Sequence, residues 1–264
     1  VVQAGGAEDD PTVFARNRLE IAVPAGNPAG VWGLVDFADR GLTIALWACG
    51  LSAWAQDSAP KLEEFLPKAG TGRVVVLISG QSGMAAYGAT ARQIADAGFR
   101  VLLVDGNDFW IKDARRAWGM LKDVITQSQS SPKSIPGKVG VVGYSLGGAS
   151  ALTYAARMPD LVASVVAVYP LTSFIKDPTD FVAKIKVPVQ MLTGTADTYK
   201  DCCLIGMAKK LAEAAKATSP PMLALHEYNG VGHGFNLETA AVKDRTAGQD
   251  AMERTIANLT QALR

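Results

Sequence analysis

Two histidines, His226 and His233, are the only imidazoles in the chain, so a histidine base has few places to be. A serine that could need one is Ser145, in Gly143-Tyr144-Ser145-Leu146-Gly147. A serine hydroxyl is barely ionised at neutral pH and attacks only when a neighbouring base takes its proton. To reach that base it must stand clear of the backbone, on a tight strained turn between a strand and a helix. Side chains two positions either side would strike the neighbouring strand or helix. Gly143 and Gly147 remove them, and Gly148 gives further room. The helix that starts at Leu146 aims its positive dipole end at a developing oxyanion. The plain alternative is a Gly-rich turn with an inert serine; a strand before and a helix after argue against it. His233 lies in Gly230-Val231-Gly232-His233-Gly234-Phe235, where glycines let an imidazole lean over a sheet edge. His226 falls inside an apolar run and reads as a packed strand residue. Asp197, in Thr193-Gly194-Thr195-Ala196-Asp197, is placed to orient the imidazole and stabilise its charged form. Asp201 competes for that role but reads better as the N-cap of a helix from Cys202.

These residues need a frame. From Arg73 onward, apolar β-rich runs alternate with helical stretches. Val74–Ile78, Phe99–Val104, Val139–Val142, Val162–Val168, Val187–Leu192 and Met222–Tyr228 read as strands. Helices are expected over Ala85–Ala97, Lys112–Gln129, Leu146–Arg157, Cys202–Ala217 and Glu238–Leu263. This alternation implies an α/β fold, a mostly parallel central sheet with helices on both faces. Ligands of such sheets sit at the carboxyl ends of the strands. Ser145, Asp197 and His233 each follow a strand end, in that chain order. Backbone donors for an oxyanion are expected from Leu146 and from the loop Ser79-Gly80-Gln81-Ser82-Gly83, with Gln81 first and Ser82 second. Tyr144, Trp110 and Tyr199 are pocket candidates. Asp105, Asn107 and Asp108 superficially resemble a calcium loop but lack its downstream glycine and glutamate, so no metal is expected, nor any cofactor.

The order Ser, Asp, His is that of the α/β-hydrolase fold. From about Val74 to the C-terminus the chain resembles the dienelactone hydrolase family. The likeness rests on the Gly-rich loop through Gly83-Met84, on Gly143-Tyr-Ser-Leu-Gly-Gly148, on Gly194-Thr-Ala-Asp197 and on His233-Gly-Phe235. The resemblance implies an α/β hydrolase without a large lid, acting on ester or lactone bonds. Two departures stand out. The founding members use a Cys nucleophile where this chain has Ser145. They also carry a Glu in the oxyanion loop, at the position of Gly80, which holds the resting thiol.

Composition fits this reading. With 48% hydrophobic residues, 264 residues can bury a substantial core. A formal net charge of +1 gives no electrostatic case for nucleic acid, and no apolar run reaches the roughly 20 residues of a membrane span. Residues 41–55, after Arg40, form a short apolar run ending in Ala53-Trp54-Ala55, the pattern of a secretory signal peptide. A buried helix is the alternative. On the signal reading the enzyme is periplasmic or secreted; otherwise it is cytoplasmic. Residues 1–40 then precede the signal and are unassigned, though Arg18–Val23 and Val31–Val35 could pair as a hairpin, and 56–264 form the hydrolase domain. Cys49 faintly suggests a lipoprotein site. Cys202 and Cys203 are adjacent and could be a vicinal disulfide or two thiols. The expected partner is a small ester-like substrate. An acyltransferase or peptidase would use the same residues, and a binding protein on a hydrolase fold would not need them.

Overall fold

The computed structural model describes residues 60–238 and 244–264. The expectations for 1–40, 41–55, Cys49 and the first turn of the closing helix therefore lie outside the described residues.

Among the described residues, seven strands form one sheet in the order β1-β3-β2-β4-β5-β6-β7. They are β1 (Leu62–Phe65), β2 (Val74–Ile78), β3 (Arg100–Val104), β4 (Val139–Tyr144), β5 (Val162–Val168), β6 (Val189–Gly194) and β7 (Leu223–Tyr228). Only β1 runs antiparallel, against β3; the other five pairings are parallel. The helices are α1 (Gly88–Asp96), α2 (Gly106–Phe109), α3 (Ala114–Gln129), α4 (Leu146–Thr153), α5 (Pro178–Ala183), α6 (Ile205–Lys216) and α7 (Arg245–Ala262). This is the α/β-hydrolase arrangement expected from the sequence.

Period-2 alternation sorts each strand onto two cores. Val74, Val76 and Ile78 of β2 share one core with Leu121 and Ile125 of α3 and Leu152 of α4, a core that extends to Leu211 of α6. Val75 and Leu77 face Ile94 of α1 and Leu259 of α7. That is why β2 reads as a continuous apolar run: both of its faces are covered. Gly140 in β4 lets α7 approach, since a Cβ there would lie 2.4 Å from a Leu259 methyl. Among the described residues no helix is long and apolar enough to cross a membrane.

Several elements differ from the sequence reading. β1, α2 and α5 were not expected. Leu62–Phe65 is only four residues long and carries two glutamates, so its strand character depends on its partner β3. α2 and α5 are single turns set by Asp105 and Asp177, whose carboxylates accept backbone N–H groups of their first turns. The helix expected from Cys202 begins instead at Ile205. Asp201 is not its N-cap: it lies at positive φ in a 3-10 turn, Tyr199–Asp201, and Leu204 occupies the cap position.

The short β1 strand is fastened by charge. Glu64 accepts from the Arg100 guanidinium at 2.6 and 2.7 Å and pairs with Lys133 at 2.6 Å. Arg100 is buried and also donates to the Ser128 carbonyl and the Ser134 hydroxyl. The Lys133 ammonium and then the Arg100 guanidinium hold the Glu64 carboxyl below its ordinary value. A lowered folded pKa gives stability that is present at neutral pH and lost as pH falls through the folded value. Glu64→Gln is therefore expected to cost about 1–3 kcal/mol near neutral pH, because it removes a charged acceptor from a buried guanidinium. Urea unfolding of both proteins across the acid range checks this: the gap should close as pH falls, and a pH-independent gap would count against the ion pair.

Candidate active site

The strand order reverses direction between β2 and β4. From β2 the chain moves outward to β3, and from β4 it moves the other way to β5. Loops leaving these two neighbouring strands diverge and open a crevice at their carboxyl ends. Ser145 stands on one side of it and the loop 79–83 on the other.

Ser145 has φ 51° and ψ −112°, a left-handed backbone that L-residues adopt only under strain. The turn is locked by three backbone bonds. The Ser145 N–H donates to Val168, and the Ser145 carbonyl accepts from Ala149 and Leu171. The elbow admits no side chains at its glycines. A Cβ on Gly143 would lie 2.3 Å from the Gly147 carbonyl, and one on Gly147 would lie 2.2 Å from that of Ile78. These are backbone collisions that no rotamer change relieves. The sequence argument for the two glycines thus holds at both positions.

His233 reaches Ser145 from the loop after β7. Its Nε2 lies 3.1 Å from Ser145 Oγ, and its Nδ1 lies 2.7 Å from Asp197 Oδ2. The other Asp197 oxygen accepts the Tyr199 N–H at 3.0 Å. The Asp197 side chain is fully buried and that of His233 is partly exposed. An ionised carboxylate only accepts, so Nδ1 carries the ring proton. Nε2 is then a free acceptor for the Ser145 hydroxyl. The acid and base loops are laced together. Thr195 and Ala196 donate backbone N–H groups to Tyr228 and Val231, and the Gly230 N–H donates to the Thr195 hydroxyl at 2.8 Å. The imidazole is further held by aromatic rings. Tyr199 stacks on it at 4.6 Å and 10°, and Tyr169 meets it edge-on at 4.6 Å.

His226 is elsewhere, on edge strand β7. It is about a third exposed, packs edge-on against Tyr228 at 4.7 Å, and sits 3.7 Å from Asp250, which also receives Tyr228 and Arg254. That cluster fastens α7 to β7 and is far in function from Ser145.

Gly80 to Gly83 close a turn through a 3.0 Å bond from the Gly83 N–H to the Gly80 carbonyl, with Gln81 and Ser82 at its tip. The Asn107 side chain holds the Gln81 carbonyl at 3.3 Å. Leu146 opens α4 beside Ser145. Two cavities flank the serine, sharing Gln81, Ser145 and Tyr199. One, of about 250 Å³, is lined also by Asn107, Trp110, Leu146, Leu171, Lys200 and Cys202. The other, of about 230 Å³, is lined also by Ser82, Tyr87, Tyr169, His233, Gly234 and Leu237. Trp110 lines the first cavity and Tyr199 both, whereas Tyr144, the third pocket candidate, lines neither. Strand alternation sends it to the α1/α7 face with Val142, where its ring packs between Tyr87 at 5.0 Å and Tyr169 at 5.8 Å.

Sequence reasoning missed Tyr87, Tyr169 and Cys203. Nothing local marks the first two, which come from a 3-10 turn and a strand end. Tyr169 stands at φ 35°, and this non-glycine strain is invisible in sequence. Cys202 and Cys203 are free thiols. The Cys203 sulfur, an Asp197 oxygen and a His233 nitrogen lie within 4.8 Å of one another. Burial pushes the Cys203 thiol pKa strongly upward, with Cys202 and Asp197 adding to the effect. It stays a neutral thiol, a poor metal ligand.

The dienelactone hydrolase family model matches residues 64–263. The chain belongs to the dienelactone hydrolase family. Among curated proteins, Protein usf of Aquifex pyrophilus is 31% identical over 124 residues, covering 46% of this chain and 50% of that protein. The match thus spans half the length of that relative. Two solved structures share the fold. A dienelactone hydrolase-like promiscuous phosphotriesterase from metagenomic libraries aligns with TM-score 0.62 at 17% identity, over 77% of this chain and 92% of that one. An esterase of Thermogutta terrifontis, phosphoramylated by tabun, aligns with TM-score 0.60 at 18% identity, over 78% and 91%.

Proposed function

We propose that this dienelactone hydrolase family member is a serine esterase that works through an acyl-enzyme on Ser145. The observation that carries the reading is the hydrogen-bonded chain from Asp197 through His233 to a serine held at positive φ. In the first half of the reaction His233 Nε2 takes the Ser145 proton as Oγ attacks the ester carbonyl. Negative charge on the carbonyl oxygen meets the N–H groups of Leu146 and Gln81. Collapse expels the alcohol, which leaves with the proton from Nε2. In the second half, water activated by the same nitrogen releases the acid. Asp197 keeps its proton-free state throughout and stabilises the imidazolium.

Dienelactone itself is a poor fit. Gly80 offers no carboxylate, and a side chain there would run into the Tyr87 hydroxyl 2.5 Å from its Cβ. Small carboxylic esters suit the two cavities better. Acyl transfer and peptide cleavage use the same residues, so substrate range decides among them.

The direct test is covalent labelling. A fluorophosphonate probe should attach to Ser145, read by peptide mass spectrometry, and should block turnover of p-nitrophenyl esters of short acids. A folded protein that is neither labelled nor active on any ester in such a panel would favour a binding protein on a hydrolase fold.

A further inference from the structure

The two cavities beside Ser145 are not equivalent. His233 lines only the smaller one, with Tyr87, Ser82 and Tyr169. A departing alcohol must meet the proton on His233 Nε2, so the alcohol half of the substrate belongs in that cavity. The acyl half then lies in the other, against Trp110 and Leu171.

Tyr87 is buried, at the end of the 3-10 turn Met84–Tyr87. Its hydroxyl fills the space that a side chain of residue 80 would take. A Cβ built on Gly80 would lie 2.5 Å from that hydroxyl and 3.3 Å from the Cβ of Ser145. The phenol therefore ends beside the nucleophile, inside the alcohol cavity. Its neighbour Tyr169 donates its own proton to Asn236 Oδ1, and the Asn236 amide in turn donates to Thr90 Oγ1 at 3.3 Å. The Tyr169 proton is thus engaged, and the phenol proton available to a substrate in this cavity is that of Tyr87.

We propose that the Tyr87 hydroxyl contacts the substrate as a leaving-group donor, hydrogen-bonding the alcohol oxygen while that oxygen departs. The inference rests on the serine-esterase reading above. As the tetrahedral adduct on Ser145 collapses, the bond from carbon to the alcohol oxygen breaks and its electron pair goes to that oxygen. The oxygen takes its proton from His233 Nε2. Tyr87 lends a hydrogen bond to the developing negative charge and keeps its own proton. Burial raises the Tyr87 pKa, so the phenol remains a donor well into alkaline solution.

Such a donor matters in proportion to the basicity of the leaving group. An alkoxide needs it; a nitrophenolate departs without help. The experiment compares kcat/KM for the ethyl and p-nitrophenyl esters of one acid that the wild-type enzyme hydrolyses. Tyr87→Phe should lower the ethyl ester value about 10- to 100-fold, the worth of a hydrogen bond to a charged group, and the nitrophenyl value by less than about threefold. Gly80→Ala, whose methyl group displaces the hydroxyl, should reproduce that selectivity and add nothing in the Tyr87→Phe background. Equal losses on both esters would assign Tyr87 a packing role and overturn the inference, as would no loss on either. Absence of ester turnover in the wild type would instead overturn the serine-esterase reading beneath it.

Discussion

His233→Ala is expected to lower ester turnover by on the order of 10⁵- to 10⁶-fold, the largest effect of any single change outside Ser145 itself. Among the described residues, the imidazole is the base within reach of Ser145 Oγ, at 3.1 Å. Without it the hydroxyl must ionise unaided, and the departing alcohol finds no proton. The substitution should leave the fold intact. The histidine sits on a loop between Gly230 and Gly234, both at positive φ, and the loop is held by backbone bonds independent of the ring. Its loss removes the stacking on Tyr199, an exposed ring, so the melting temperature should move by only a few degrees. Single-turnover kinetics with a p-nitrophenyl ester, alongside His226→Ala as the control, make the comparison. His226→Ala should retain turnover, because that ring contacts Asp250 and Tyr228 on the far edge of the sheet. Near-normal turnover in His233→Ala would remove the base from the mechanism.

The second large effect is expected from Asp197→Asn, at about 10⁴-fold. The cause is the ring tautomer, with charge as a smaller part. One Asp197 oxygen must accept the Tyr199 N–H, at 3.0 Å. In an asparagine the remaining carbonyl oxygen keeps that bond, which turns the amide NH₂ toward His233. An NH₂ group only donates, so Nδ1 must become the acceptor and the ring proton moves to Nε2. Nε2 then presents a proton to Ser145 Oγ and cannot take one. Asparagine is nearly isosteric with aspartate, and the site is fully enclosed, so packing is preserved. The expected signature is normal thermal stability with slow fluorophosphonate labelling and slow hydrolysis, falling by similar factors. A variant within tenfold of wild type would mean that the tautomer is fixed by something other than Asp197.

Much of this site could be read from residue order alone, for reasons that are local. An elbow between strand and helix restricts the backbone within five residues, so Gly143 and Gly147 betray it. Buried parallel strands must be apolar on both faces, so Val74–Ile78 and Val139–Val142 announce themselves as continuous runs. A strand end followed by a glycine loop marks where a side chain can reach over the sheet, which located His233 and Asp197. The composition of β1 gave no such signal. Its four residues become a strand because β3 offers a free edge and Arg100 and Lys133 claim Glu64.

The candidate site residues, their order and the strands that carry them are legible in the chain, because each depends on neighbours a few residues away. Contacts between distant segments set the rest. The expected helix start at Cys202 gave way to a left-handed turn at Lys200 and Asp201, with the Cys202 carbonyl accepting the N–H groups of Thr172 and Ser173 from another loop. That turn sets Tyr199 flat against the imidazole. Tyr144, next to the nucleophile in sequence, was turned away into the core by strand alternation. Tyr87, 58 positions upstream of Ser145, was brought beside it because Gly80 leaves a space that only a side chain from outside the loop can fill.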